Sequence, residues 1–371
     1  MFAAQRLFLL RFFSVLRMAI VIGLVLASGC GRDRSTDSFP EIPEHILREI
    51  EEMNEPKVTL WTALGYPTDD RDLLLTNKPG VYQPTASGNP ESALYGSVRT
   101  GRVGGRLRPT FHEGLDLASH QRNSRGHPTD PVRAVAAGKV AYACRHAGNS
   151  SYGKYVVVEH DDPVGRIYTL YAHLAEVSVR DGQEVRPGDE LGIMGNTATY
   201  SIPMSRAHVH FEIGVLLNDR FDAWFRSKKL KPSHKAWHGW NLIGLNPLEF
   251  YQQQSENPYI TFADFIHATP DAFECAIKTS RLPDYFKRYP DLWQGHDFSG
   301  GWMVVAFSEN GVPLSGRNPT EEERMGLSGS STVLNANPEV LGRNGRRLVV
   351  EQNGRWILGK EGKKHLEMLL Y

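Results

Sequence analysis

Residues 207–213 read Ala-His-Val-His-Phe-Glu-Ile, two histidines two apart in a run of strand-forming residues. Side chains on a strand alternate faces, so His208 and His210 point the same way. Working outward, β-branched runs recur at Ala134–Tyr142, Lys154–Glu159, Ile167–Ala172, Glu176–Val179, Glu190–Met194 and His208–Val215. Glycine and Asp-Gly turns separate them, the signature of a sandwich or barrel-like antiparallel sheet. No long amphipathic helix interrupts the series, which disfavours a parallel α/β architecture. The expected fold class is therefore mainly β, with an α+β module at the C-terminal end.

The chain holds 14 histidines, and two patterns stand out: His208-Val209-His210 and the H-x-x-x-D of His112 and Asp116. An even spacing in extended backbone keeps His112 and Asp116 on one face. Two histidines and one aspartate suit zinc, and three protein ligands leave the fourth position for water, the catalytic arrangement. An H-x-H in a strand is by itself more often a hydrogen-bonded or exposed pair, so the surrounding blocks have to decide.

Those blocks run in order. Tyr95–Leu117 ends on His112-Glu113-Gly114-Leu115-Asp116, and Asp130–Val140 reads DPVRAVAAGKV. Tyr152-Gly153-Lys154 leads through Glu159-His160 to Tyr171-Ala172-His173-Leu174. Val185-Arg186-Pro187-Gly188, Leu191-Gly192 and Gly195 precede His208-Val209-His210-Phe211-Glu212. Over residues 93–216 this resembles the lysostaphin-like, LytM-type zinc metallopeptidases that cleave peptides in bacterial cell walls. The resemblance implies one zinc per chain, with His112, Asp116 and His210 as ligands. It implies His173 and His208 as the catalytic histidines beside the attacking water and the scissile carbonyl. It implies an endopeptidase acting on the stem peptides or cross-links of peptidoglycan. One departure is local: Asn196–Ala207, NTATYSIPMSRA, replaces the family's small-residue loop before the H-x-H. Family relatives that act as activators usually lack a ligand, whereas all five positions are filled here. The alternative readings are a non-catalytic wall-binding lipoprotein that regulates another hydrolase, and a structural metal-binding protein.

The start of the chain reads as an address. Residues 1–29 carry Arg6, Arg11 and Arg17 and no acid, then the ten apolar residues Met18–Ala27, then Ser28-Gly29-Cys30. A basic flank, a short apolar stretch and small residues form a secretory signal. Ten residues span about 15 Å of helix, half a bilayer core. The ending L-A-S-G-C resembles a lipoprotein box, which implies acylation of Cys30, a membrane tether and a bacterial cell-envelope location. That location is the outer membrane facing the periplasm or the exterior of the cell membrane. Two further cysteines, Cys144 and Cys275, either pair or remain separate buried thiols.

Composition bounds the rest. The 371 residues suggest about two domains plus extensions. An apolar content of 40% excludes wholesale disorder. Basic and acidic residues number 42 each, a poor balance for gripping phosphate backbones, so nucleic acid is not an expected partner. The expected organisation is a signal at 1–29, a tether and extension at 30–92, and a metallopeptidase domain at 93–250 with an insertion at 218–250. An accessory module of unassigned role follows at 251–371. Within it, Thr269-Pro270-Asp271 reads as a helix start and Gly301–Phe307 as a strand. Asn353-Gly354 reads as a hairpin turn and Lys363–Leu370 as a closing helix. A regulatory protein partner is a further expectation, and His160 is expected to be structural.

Overall fold

The computed structural model describes residues 58–103, 106–230 and 234–371; the signal segment, Cys30 and the short helix expected near Pro43–Met53 lie outside them. The strands of the first part are β1 (Val98–Val103), β2 (Arg106–Phe111), β3 (Leu115–Ala118), β4 (Pro131–Arg133), β5 (Gly138–Cys144) and β6 (Lys154–Asp162). They continue with β7 (Gly165–Leu174), β8 (Glu176–Val177), β9 (Glu184–Val185), β10 (Glu190–Ile193), β11 (His208–Leu216) and β12 (Leu242–Leu245). The central sheet runs β12-β11-β7-β6-β5-β9, with β3 added to the open half of β11. All its pairings are antiparallel. A mainly antiparallel β fold follows, as the alternating runs imply.

Alternation along β6 and β11 separates two apolar layers. Val156, Val158, Val209, Phe211, Ile213 and Val215 face a large core that also takes in Trp61, Phe250 and Phe262. Tyr155, Val157, Tyr168, Leu170 and Ala172 face a smaller one under Trp237. The fully buried Trp61, from the stretch before the first strand, donates its indole N–H to Asp162 at 2.6 Å.

Residues 251–371 hold β13 (Phe273–Thr279), β14 (Gly301–Phe307), β15 (Pro313–Arg317) and β16 (Ser331–Ala336) in a sheet ordered β15-β14-β13-β16. The hairpin β17 (Val349–Gln352) and β18 (Arg355–Leu358) turns at Asn353 and Gly354, with φ of 53° and 71°, the two positive angles its turn type needs. Helix Lys360–Leu370 closes the chain. The expected helix start at Thr269 is corrected. A capping box between Thr261 and Asp264 begins helix Phe262–Ala268, and Thr269 ends it with ψ of 128°, because the residue before proline avoids helical backbone. Pro270 then leads into β13. Cys144 and Cys275 are buried, unpaired thiols. Among the described residues no helix is long and apolar enough to cross a membrane.

Candidate active site

Register assembles the site. His210 on β11 lies directly across from Asp116 on β3 and Ala172 on β7, and opposed residues on one face stand within side-chain reach. His112 comes from a turn between β2 and β3 rather than from one extended segment. Gly114 makes that turn possible, since a Cβ there would stand 2.2 Å from the Phe211 carbonyl oxygen. His112, Asp116 and His210 thereby offer three ligand atoms within 4.8 Å of one another, the one such group among the described residues.

The triangle is tight. Asp116 Oδ1 is 3.0 Å from His112 Nε2 and 2.9 Å from His210 Nδ1, and the two nitrogens are 3.0 Å apart. The outer nitrogens fix the tautomers. His112 Nδ1–H donates to the Leu94 carbonyl at 2.9 Å, and His210 Nε2–H donates to Glu212 Oε1 at 2.8 Å. Tyr152, whose burial holds its phenol well above the ordinary range, donates to the same Glu212 oxygen at 2.8 Å. With both rings neutral, three lone pairs point at a common centre, which is unfavourable unless a cation lies between them. The edges approach the ~3.3 Å separation of tetrahedral N and O ligands around zinc, so the donor set fits that ion. Arg99 Nη2 takes the other Asp116 oxygen at 2.6 Å, leaving one oxygen for the centre.

His173 and His208 flank this triangle, their rings 4.8 Å apart. His208 reaches the site by alternation along β11, with Nε2 3.7 Å from Asp116 Oδ1. His173 does not. Simple alternation along β7 would turn it to the face of Tyr171, opposite Ala172. Its φ of 63° swings it round to His208 instead. A left-handed conformation costs a non-glycine residue of order 1–3 kcal/mol and persists only where neighbours enforce it. Here the Tyr152 carbonyl accepts the His173 backbone N–H at 2.9 Å, and the Thr197 carbonyl accepts Nδ1–H at 2.8 Å. The Arg206 carbonyl accepts Nδ1–H of His208 at 2.8 Å. Both acceptors belong to the 196–207 loop, a role its sequence did not announce. That loop is braced by Arg122, which donates to the Met204 carbonyl at 2.8 Å, and by Asn196, which donates to the Ile202 carbonyl at 2.7 Å.

Burial sets the protonation. The five side chains are only 3–6% exposed. Desolvation pushes His112 and His208 below the ordinary imidazole range, and His173 well below it with help from the neighbouring His208 and His210. Burial also opposes charge on Asp116, but His112, His208 and Arg99 outweigh it and hold the carboxyl well below its usual value. Desolvation of His210 is overcome by its hydrogen bonds to Asp116 and Glu212, which raise it to about 10. A second proton on His210 and a metal cation are thus rival occupants of one triangle. His160 is structural: its ring bonds the Ala137 carbonyl and the Thr169 hydroxyl, each at 2.8 Å.

A family model described as Peptidase family M23 matches residues 110–222, a span containing all five side chains. An "Uncharacterized metalloprotease" of Haemophilus influenzae is 34% identical over 125 residues, covering 33% of this chain and 22% of that protein. The "Murein hydrolase activator NlpD" of Escherichia coli is 33% identical over 104 residues, covering 28% and 22%. The "Lipoprotein NlpD" of Yersinia enterocolitica is 34% identical over 90 residues, covering 24% of this chain and 79% of that protein. The chain spans 22%, 29% and 21% of the first three curated relatives it matches.

Proposed function

This chain belongs to peptidase family M23, and from that premise we propose that it is a zinc-dependent endopeptidase hydrolysing peptide bonds of bacterial peptidoglycan. One observation carries the reading: three ligand atoms converge on a cation-sized triangle beside two imidazoles whose outer nitrogens are already bonded. His112, Asp116 and His210 would hold the ion. When bound, zinc supplies Lewis acidity that polarises an amide carbonyl and acidifies a water.

The remaining work falls to the chain's own groups. His173 and His208 each commit Nδ1–H to a carbonyl, so each presents Nε2 as a base. Low basicity from burial keeps both neutral at pH 7 and able to accept a proton. One imidazole takes the proton of the attacking water. As imidazolium, that group carries an Nε2–H that can donate to charge developing on the carbonyl oxygen and then pass to the leaving amine. Glu212 and Arg99 keep His210 and Asp116 in the orientations the ion needs.

We assign hydrolysis to residues 93–250 and an accessory role to residues 251–371. The lipoproteins among the relatives support an envelope location, with Cys30 as the acylated tether. Cys30→Ser is expected to move the protein out of the membrane fraction; unchanged fractionation would refute the tether.

A second reading, regulation of another wall hydrolase without turnover, draws on the activator among the relatives. One assay separates the two: the full-length, zinc-loaded chain is incubated with isolated peptidoglycan and the released fragments are identified by mass spectrometry. Conversion of cross-linked peptides to monomers, absent in His173→Ala, is the expected result. Zinc uptake without any conversion would overturn the enzyme reading in favour of the regulator.

A further inference from the structure

One ion pair crosses from the C-terminal part of the molecule to the turn that carries His112. Arg346 Nη1 stands 2.7 Å from Glu113 Oε1, with the side chains only 21% and 22% exposed. The backbone on either side of Glu113 has no slack. Gly114 presses on the Phe211 carbonyl, and a Cβ on Gly244 of β12 would come within 2.9 Å of the Glu113 carbonyl oxygen. The side chain of Glu113 is therefore the part of the turn left to be directed.

Behind it lies Glu212. Its Oε1 accepts from both His210 and Tyr152, and its Oε2 is buried with no hydrogen-bond partner among the described residues. Glu212 Cγ would stand 2.9 Å from a Cβ on Gly114, the residue after Glu113, so the two carboxylates are near enough to repel. Arg346 is itself held in place. Its Nε donates to the Asn310 carbonyl at 3.4 Å, and the Asn310 side chain donates to the Gly244 carbonyl at 2.8 Å. Gly345 packs so closely on β1 that a Cβ would meet Val98 at 2.7 Å. A cavity of about 300 Å³, lined by Phe111, Glu113, Trp240, Arg346 and Lys364 among others, adjoins the pair and leaves Glu113 room to swing if released.

We infer that Arg346, from outside the residues matched by the family model, is a positioning residue of the metal site. It draws the Glu113 carboxylate away from Glu212, so that Glu212 is left to orient His210 and the turn is left to present His112. The inference rests on the zinc reading proposed above. It also assigns a task to the C-terminal part, which then serves the site it packs against.

The sign of the effect makes the idea testable. Loss of a positive charge alone would tighten a nearby cation site. Loss of a restraint on the ligands loosens it, typically 10–100-fold for groups that orient metal ligands. Zinc affinity of the full chain is measured by competition with a chelator for the unmutated protein, Arg346→Met, Glu113→Gln and the double variant, with a thermal midpoint for each. Arg346→Met is expected to bind zinc about 10–100-fold more weakly. Glu113→Gln, and the double variant with it, should stay within about threefold of the unmutated chain, because the carboxylate to be restrained is gone. Unchanged or tighter binding by Arg346→Met overturns the inference. So does a double variant as weak as Arg346→Met, which would make the arginine a packing residue only. An unmutated chain that takes up no zinc would overturn the metal reading as well, so the two failures are distinguishable.

Discussion

His173 holds the least favourable backbone conformation in the site and, in the mechanism, one of its two bases. Its left-handed φ of 63° is what carries the ring across the sheet to stand 4.8 Å from His208. No pattern in Tyr171-Ala172-His173-Leu174 marks that reversal; family resemblance supplied the residue, and the fold supplies the reason. Because its nitrogens lie outside the ligand triangle, His173→Ala should keep zinc and lose turnover by a factor of about 10²–10⁴, the usual weight of a general acid or base. His210→Ala removes a vertex of the triangle and should lose both zinc and turnover. Metal content and peptidoglycan turnover measured on the two variants check this, and a His173→Ala protein with undiminished turnover would refute the proposed proton path.

At the scale of elements, strands were legible wherever β-branched alternation ran unbroken. The expected Lys154–Glu159 and His208–Val215 lie inside β6 and β11, and Gly301–Phe307 coincides with β14. What escaped was structure set by distant partners. β12 is four residues inside a Lys-, His- and Trp-rich stretch and exists because the outer half of β11 needs a neighbour. The helix misplaced at Thr269 has its true start at Thr261, where Thr-x-x-Asp is a weaker signal than Thr-Pro-Asp. The 196–207 loop was legible as a departure from the family pattern, yet not as the source of both carbonyls that orient His173 and His208. Gly153 ties that loop to its neighbours: a Cβ there would stand 2.1 Å from the Thr197 carbonyl oxygen, at a φ of 66°. Gly153→Ala should therefore push Thr197 off His173, lower stability by about 1–3 kcal/mol and cut turnover more than zinc content. Denaturant midpoints beside metal content measure both; unchanged turnover would mean the loop does not set the orientation of His173.

Across the whole molecule, two buried histidines outside the triangle add to the acid sensitivity of folding. His160 bonds under the central sheet near Trp61, and His365 in the closing helix donates to the Gly311 carbonyl at 2.7 Å. Neither feature is visible in sequence, because each depends on a contact between segments far apart or on a strand's depth in the core; the Arg346–Glu113 pair escapes for the same reason. Burial lowers both rings to about 4. The unfolded chain titrates near 6.5, so above that pH neither state is protonated and these groups contribute no pH dependence. Between pH 6.5 and 4 the unfolded chain binds protons that the folded one refuses, so stability falls as pH falls. Below about 4 the folded rings charge as well and the loss from these two levels off. Each histidine accounts for roughly 3 kcal/mol over that window, large against a typical total of about 5–15 kcal/mol. Urea midpoints at pH 7, 5.5 and 4.5 should decline steadily. In the double variant His160→Gln, His365→Gln, whose amides can still donate but do not titrate, the decline should become shallower, the rest coming from His112, His173, His208 and His238, which burial also lowers. An equally steep fall in that variant would show that the acid sensitivity arises at those other histidines alone.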